Sequence, residues 1–393
     1  MSRLSLSLLV ALLIALYFLK GGIGNTLAFV CLFSGTVLAV RERPRISMAA
    51  LSLLVLVAFR GLVPPYGVDE VSFKAASNAA WLIVLLALVS VAVRDLDPRT
   101  ILWTFAAVAA AYALAALAGH AIAGSVERLI FPGRAGNPIL GSGGIVVGLL
   151  AGLALWLTER RHTVLLVAGL VLGLSAITLG QSRGPMLALG LALSVVAAAW
   201  RRPVAGWVIF AAGVAAWLVI SGLVVADTAI ARELCPHVSL ACRAAHRHEA
   251  WAEALRLIAE HPWLGVGAEF RFNSASVPHP HNGLLGTAMS YGLPVLAAFL
   301  AFLWVAANAI ARLTDPALRL FSIGMFVFAL GFMGSDLADP FRFVGLHYVF
   351  IWLPLFLALS VDELCTVPKQ NSRASPTREE FGQPQSIQRR SLE

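Results

Sequence analysis

The chain has 393 residues, of which 59% are hydrophobic and only 13% are charged, and its mean hydropathy is +0.83. Ordinary soluble domains carry roughly 25% charged residues, so this composition excludes a soluble protein and indicates an integral membrane protein. The formal net charge is +8, and the placement of the basic residues along the chain decides whether that excess requires an anionic partner.

Apolar runs long enough to cross a bilayer recur along most of the chain. A transmembrane helix needs roughly 20 apolar residues, and such runs begin near residues 4, 23, 46, 77, 101, 138, 162, 184, 203, 284, 317 and 341. The first run follows Arg3 like the core of a signal peptide, but no convincing A-x-A cleavage site precedes the second run, so we predict a retained helix. The prediction is an all-α integral membrane protein with about 12 transmembrane helices.

The basic residues concentrate in alternate loops, which sets the predicted orientation. If the N-terminus is cytoplasmic, 17 of the 29 Lys and Arg residues fall on the cytoplasmic face. We therefore predict that both termini are cytoplasmic. Residues 1–362 form one polytopic membrane domain, and residues 363–393, rich in Ser, Gln, Arg and Pro, form a disordered tail. Because topology accounts for the basic excess, we predict no nucleic-acid partner.

Arg183 lies in "TLGQSRGPM", a short connection between two apolar runs on the predicted outer face. Arg134 occupies a similar place in "FPGRAGNPILG". In both motifs a proline follows near the start of the next helix, where free N–H groups and the helix dipole favour an anion. For either arginine alone, an interfacial anchor is the better explanation. Arginine binds phosphate oxygens with two parallel N–H groups, so several arginines converging here would suit a diphosphate.

The longest loop, from about residue 227 to 282, lies on the outer face in this topology. It contains "RHEAWAEALRLIAEHPWLGVG", which predicts an amphipathic helix with Trp251, Leu255 and Ile258 on its apolar face. Arg247 is four residues before Trp251, so it is predicted to project from the same side. Two roles remain open for it: an arginine that snorkels to the interface, or a cation directed into the helix bundle.

Two cysteines, Cys235 and Cys242, lie in this outer loop. An oxidising exterior favours a disulfide between them, which is our prediction. A metal site that adds His237 and His246 is the alternative, but this spacing matches none of the common zinc patterns. We therefore predict no metal site.

The loop ends in "SVPHPHNG", where His279 and His281 alternate with Pro278 and Pro280. Proline prevents a regular helix and restricts the residue before it, so this segment is stiff and irregular. Histidine titrates near neutral pH, with an unperturbed pKa of about 6.5, and can accept a proton from a reacting group. Asn282 can orient this segment or cap the next helix.

The last outer loop, "GSDLADPFRF", carries two carboxylates, Asp336 and Asp339. The sequence leaves two roles open for them, contact with a bound acceptor substrate or a salt bridge to Arg342.

Together these motifs resemble the signature of the O-antigen ligase and polymerase superfamily. The shared features are an Arg four residues before a Trp, an amphipathic helix, "HPWLGVG", and "HPHN" leading into a span that contains "YGL". The "SRG" and "GRAGNP" segments look like earlier motifs of that family. The resemblance covers most of the chain from about residue 130 to 300.

The resemblance implies an inverting, metal-independent glycosyltransferase without a cofactor, in the bacterial inner membrane with its active site facing the periplasm. Such enzymes take a glycan from undecaprenyl diphosphate, and the ligases join it to lipid A–core. One outer loop of moderate length, and no large domain after the last span, favour the ligase over the polymerases and the protein O-oligosaccharyltransferases. His281 matches the family's essential histidine. Arg183 and Arg247 are expected to share catalysis with it, and Arg134, His279 and Asn282 to bind substrate.

A secondary transporter also has about twelve helices and is a rival of a different class. Transporters place ionisable residues near the middle of the membrane and are built from repeated halves. In this sequence the candidate residues cluster at the outer ends of the spans, and no matching halves are evident. These features favour an enzyme.

Overall fold

The computed structural model describes residues 2–63, 73–124, 128–201, 247–272, 277–341 and 344–365. All regular structure in these ranges is helical, so the predicted all-α class is confirmed. The helices are α1 (Ser2–Tyr17), α2 (Gly21–Glu42), α3 (Met48–Gly61), α4 (Lys74–Asp95), α5 (Pro98–Ile122), α6 (Pro138–Glu159), α7 (Thr163–Leu179), α8 (Arg183–Arg201), α9 (Arg247–Glu260), α10 (Gly283–Tyr291), α11 (Leu293–Arg312), α12 (Pro316–Ser335) and α13 (Leu353–Cys365). A 3-10 turn (Gly133–Ala135) precedes α6, and a π-helical turn (Tyr348–Trp352) precedes α13.

Within the described ranges, seven helices are long and apolar enough to cross a membrane, namely α2, α4, α5, α6, α8, α11 and α12. The shorter apolar helices α1, α3 and α7 match three further predicted spans. The span predicted from residue 203 and nearly all of the tail from residue 363 lie outside the described residues, so the total of twelve spans stays a prediction.

Ion pairs connect the helix ends that are predicted to be cytoplasmic. Arg94 at the end of α4 lies 3.5 Å from Glu42 at the end of α2. Another pair, 3.2 Å apart, joins Arg99 at the start of α5 to Glu159 at the end of α6. The ends of α11 and α13 are joined in the same way. These pairs agree with a bundle whose helices alternate in direction. We call the opposite end, where α3 ends and α8 and α10 begin, the site end.

The predicted span from residue 284 is divided into α10 and α11, which is a correction to the sequence prediction. Gly292 separates the two helices with a φ of +87°, a backbone conformation that favours glycine. The "HPWLGVG" segment lies against this break: the Leu293 N–H donates to the Pro262 carbonyl, and the Val266 N–H to the Met289 carbonyl, both at 2.7 Å. The motif therefore braces the C-terminal end of α10.

Replacement of Gly292 by alanine is expected to destabilise the fold. The new Cβ would overlap the carbonyl oxygen of Trp263, and the positive φ adds strain of about 1 to 3 kcal/mol. Gly190 in α8 is the matched control, because nothing lies within 4 Å of its Cβ position. A thermal unfolding scan in detergent should show a lower midpoint for Gly292→Ala and an unchanged or higher midpoint for Gly190→Ala. Equal midpoints for Gly292→Ala and wild type would contradict this account of the break.

Candidate active site

The histidine segment leads directly into α10 at the site end. The rings of His279 and His281 are 4.1 Å apart between centroids, and both side chains are half-buried. His281 has a φ of +51°, which is uncommon for a residue other than glycine. The Trp251 indole N–H donates to the Pro280 carbonyl at 2.8 Å, so α9 holds the segment from the side. The two imidazoles are thus fixed on a tightly bent backbone.

Asn282 caps α10, which is one of the two roles predicted for it. Its side-chain oxygen accepts hydrogen bonds from the N–H groups of Leu284 and Leu285, both at 3.1 Å. These groups have no partner inside the helix, so an asparagine before the first turn satisfies them. The cap fixes the direction in which the chain enters α10 from His281.

Removal of the Asn282 cap is expected to destabilise the fold. Asn282→Ala is expected to lower the free energy of unfolding by about 0.5 to 2 kcal/mol, because two N–H groups lose their acceptor. Asn282→Asp preserves a capping oxygen and should unfold close to wild type. Thermal or denaturant unfolding in detergent measures both variants. A stability for Asn282→Ala equal to that of wild type would mean that the cap adds nothing to the fold.

Arg183 is the first residue of α8, and its side chain is half-buried at the site end. The Asp336 carboxylate at the end of α12 lies directly against the next residue, since a Cβ on Gly184 would overlap Oδ2 of Asp336. Ser335 Oγ would be 2.6 Å from the same Cβ. Glycine at position 184 therefore allows the start of α8 to approach the end of α12.

The end of α12 is also the surface on which α10 begins. A Cβ on Gly283 would lie 3.4 Å from side-chain atoms of Met333 and Leu337. A Cβ on Gly286, one turn further on, would overlap the Ala338 carbonyl oxygen. Residues 333–338, here called the α12 wall, thus contact the start of α8 and the start of α10. The residue after Arg183 and the two glycines that follow the histidine segment therefore pack on one short stretch of chain.

Arg134 reaches the chain just beyond this wall. It lies in the 3-10 turn before α6 and donates to the Val344 carbonyl at 2.7 Å. Burial lowers the pKa of Arg134, but an arginine remains protonated at any physiological pH. Asn137 caps α6 through a hydrogen bond from the Ile139 N–H at 2.9 Å. The "GRAGNP" motif therefore fixes both the position of Arg134 and the start of α6.

The amphipathic helix of the long loop is α9, and Arg247 is its first residue. The side chain of Arg247 lies outside the described residues, so its predicted projection toward the site stays a prediction. The prediction that Leu255 lies on the apolar face of this helix was wrong, because Leu255 is 56% exposed. Instead, Ala250, Ala254 and Leu257 are buried, because the small alanines let α9 pack against Val266, Phe272 and Met289.

Cys235 and Cys242 lie outside the described residues, so the predicted disulfide stays a prediction. Among the residues that the structure describes, no group of three or more His, Cys, Asp or Glu side chains is placed to hold a metal ion.

The structure shows hydrogen-bond partners for Asp339, whose role the sequence left open. Its carboxylate is 4% exposed and accepts hydrogen bonds from the Tyr291 hydroxyl at 2.9 Å and the Phe341 N–H at 2.8 Å. It therefore ties the end of α10 to the loop after α12. Arg342, the other predicted partner, is outside the described residues.

A buried arginine that the sequence analysis missed, Arg60, supports the "HPWLGVG" segment from the end of α3. It is 5% exposed and donates to the carbonyl oxygens of Val63 at 3.0 Å, Gly265 at 3.4 Å and Leu264. The sequence carries no signal for the contact with this segment, because the Leu264 and Gly265 acceptors are backbone groups more than 200 residues away.

Comparison with known proteins agrees with these motifs. A family model described as O-Antigen ligase matches residues 168–300, which include Arg183, Arg247, His279, His281 and Asn282. A curated relative from Pseudomonas aeruginosa, described as an O-antigen ligase, is 29% identical over 275 residues. That alignment covers 66% of this chain and 63% of the relative, so the match spans less than two thirds of the relative's length. The resemblance predicted from the motifs is confirmed.

Proposed function

We propose that this chain, which belongs to the O-antigen ligase superfamily, is a membrane-embedded glycosyltransferase of lipopolysaccharide biosynthesis. Its donor is a glycan linked to undecaprenyl diphosphate, and its acceptor is a sugar hydroxyl of lipid A–core. One observation carries the proposal: the start of α8, which carries Arg183, and the start of α10, which follows the histidine segment, pack on the same α12 wall. A diphosphate leaving group and an attacking hydroxyl need these two kinds of side chain close together.

The reaction is a displacement at the anomeric carbon of the donor glycan. The acceptor oxygen attacks that carbon and forms the new glycosidic bond, while the bond to the diphosphate oxygen breaks with inversion. His281 accepts the proton of the acceptor hydroxyl. The diphosphate leaves with the bonding electron pair, and its growing negative charge is stabilised by Arg183 and the N–H groups of the first turn of α8.

Arg247 and Arg134 complete the proposed diphosphate site. Arg134 has its guanidinium on the Val344 carbonyl, beside the segment that follows the α12 wall. A guanidinium stays charged even where water is scarce and can bind two phosphate oxygens at once. Arginines thus supply the positive charge that a metal ion supplies in other glycosyltransferases, which makes the proposed reaction independent of metal ions. His279 and Asn282 border His281 and are proposed to bind the acceptor.

In the proposed location, the chain lies in the bacterial inner membrane with both termini in the cytoplasm and the site end facing the periplasm. The positive-inside bias of the basic residues supports this orientation. Arg94 pairs with Glu42, and Arg99 pairs with Glu159. These ion pairs support the prediction that the helix ends they join lie on the same side of the membrane.

A gene deletion distinguishes the ligase from its alternatives within the superfamily. Loss of a ligase leaves polymerised glycan on the lipid carrier and bare lipopolysaccharide core. Loss of a polymerase leaves cores capped with a single repeat, and loss of a protein O-oligosaccharyltransferase changes protein bands but not lipopolysaccharide. We expect the first pattern, restored by the wild-type gene. Either of the other patterns would replace the ligase assignment. An unchanged glycan profile with altered uptake of a solute would favour the transporter.

A further inference from the structure

The short connection that carries Arg183 is held by an arginine from another part of the chain. The Arg128 Nε donates to the Gly180 carbonyl at 2.5 Å, and its Nη2 donates to the Ser182 hydroxyl oxygen at 2.7 Å. The neighbouring backbone adds a hydrogen bond from the Leu129 N–H to the Leu179 carbonyl at 3.0 Å. The connection between α7 and α8 is therefore bound along its length to residues 128 and 129.

The backbone of this connection contains one strained residue. Gln181 adopts a φ of +46°, and such a conformation in a residue other than glycine costs roughly 1 to 3 kcal/mol. Ser182 is 2% exposed, and its hydroxyl also donates to the Gly180 carbonyl at 3.3 Å. The planar fork of Arg128 presents two parallel N–H groups to the two acceptors, a fixed geometry that the tetrahedral ammonium of a lysine does not reproduce.

We propose that Arg128 is a positioning residue for Arg183. It fixes residues 180–182 so that the Arg183 guanidinium faces the donor diphosphate, and it acts through Arg183 rather than on the donor itself. This inference rests on the proposed function, because it assigns a role in the same diphosphate site.

A double-mutant cycle tests this coupling with purified protein and an undecaprenyl-diphosphate glycan. Arg128→Met is expected to lower kcat/KM for transfer by about 10- to 100-fold, since a displacement of roughly 1 Å at a reacting centre can cost that much. In the Arg183→Ala background the same change should lower kcat/KM by less than about threefold, because the group it positions is already gone. Full additivity of the two losses would overturn the proposal.

Three further variants separate positioning from charge and from folding. Arg128→Lys preserves the charge but loses the bidentate contact, so it should resemble Arg128→Met; wild-type activity in Arg128→Lys would overturn the proposal. Ser182→Ala removes one of the two acceptors and should show a smaller loss. Arg271→Met is the matched control, because the exposed Arg271 bonds only neighbouring carbonyls in the structure, and its activity and unfolding midpoint should equal those of wild type.

A second measurement is the binding of undecaprenyl diphosphate that carries no glycan. It shows whether a negative result concerns the role of Arg128 or the proposed glycan transfer. If the wild type transfers glycan but the cycle is additive, only the role of Arg128 is wrong. If the wild type binds the lipid but transfers nothing, the proposed transfer is wrong, and the cycle is then measured on the dissociation constant. A coupled loss of binding in that cycle would still support Arg128 as the residue that positions Arg183.

Discussion

His281→Ala is expected to lower the rate of glycan transfer by about 10²- to 10⁴-fold, the range that a positioned general base contributes. The imidazole is held on a bent backbone between Pro280 and the cap residue Asn282, so its removal leaves the acceptor hydroxyl without a proton acceptor at that place. Transfer from an undecaprenyl-diphosphate glycan to lipid A–core measures the effect. KM for the donor should change little, because the role proposed for the histidine is on the acceptor.

The control for this variant is His279→Ala, which removes the neighbouring ring 4.1 Å away. It should affect KM for the acceptor more than kcat, in line with a binding role. The unfolding midpoint of His281→Ala should remain near that of wild type, because its half-buried ring contributes little to the core. A rate for folded His281→Ala equal to the wild-type rate would remove this residue from catalysis.

Arg183→Ala is expected to lower kcat by about 10²- to 10³-fold, the loss found when one group that stabilises a developing negative charge is removed. Arg183 is the first residue of α8, and the next residue, Gly184, packs against the Asp336 carboxylate of the α12 wall. Arg183→Lys should recover part of the activity, because a lysine keeps the charge without the two parallel N–H groups. Steady-state kinetics with the same two substrates measures both variants.

The matched control for Arg183 is Arg319→Ala. Arg319 is an exposed residue in the first turn of α12, at the opposite end of the bundle. Its removal should leave kcat and the unfolding midpoint unchanged. If Arg183→Ala keeps the wild-type kcat while it remains folded, the leaving diphosphate is stabilised elsewhere.

Much of the helical framework could be predicted from the sequence, because strong local signals mark the helix starts. The proline-led starts at Pro138 and Pro316 match the predicted beginnings of those spans within one residue. Apolar runs and membrane thickness then set the lengths. The all-helical class follows from these signals alone.

The division of the span at Gly292 could not be predicted in this way. A single glycine inside an apolar run is compatible with a continuous helix, and only its contact with the Trp263 carbonyl reveals the break. Arg60 and Arg128 also escaped prediction, because backbone carbonyls are among their acceptors and leave no residue-specific pattern in the sequence. The motifs predict Arg183 and His281 as site residues, whereas the packing of α8 and α10 on one α12 wall became apparent only from the structure.

The most direct test of the central claim is transfer by the purified wild-type protein, with an undecaprenyl-diphosphate glycan as donor and lipid A–core as acceptor, in the presence of a metal chelator. The account predicts glycan-bearing lipid A–core with an inverted anomeric linkage, formed at the same rate with and without chelator. No product from folded protein that binds the donor would contradict the glycosyltransferase assignment, and product formation abolished by the chelator would contradict the arginine-based mechanism.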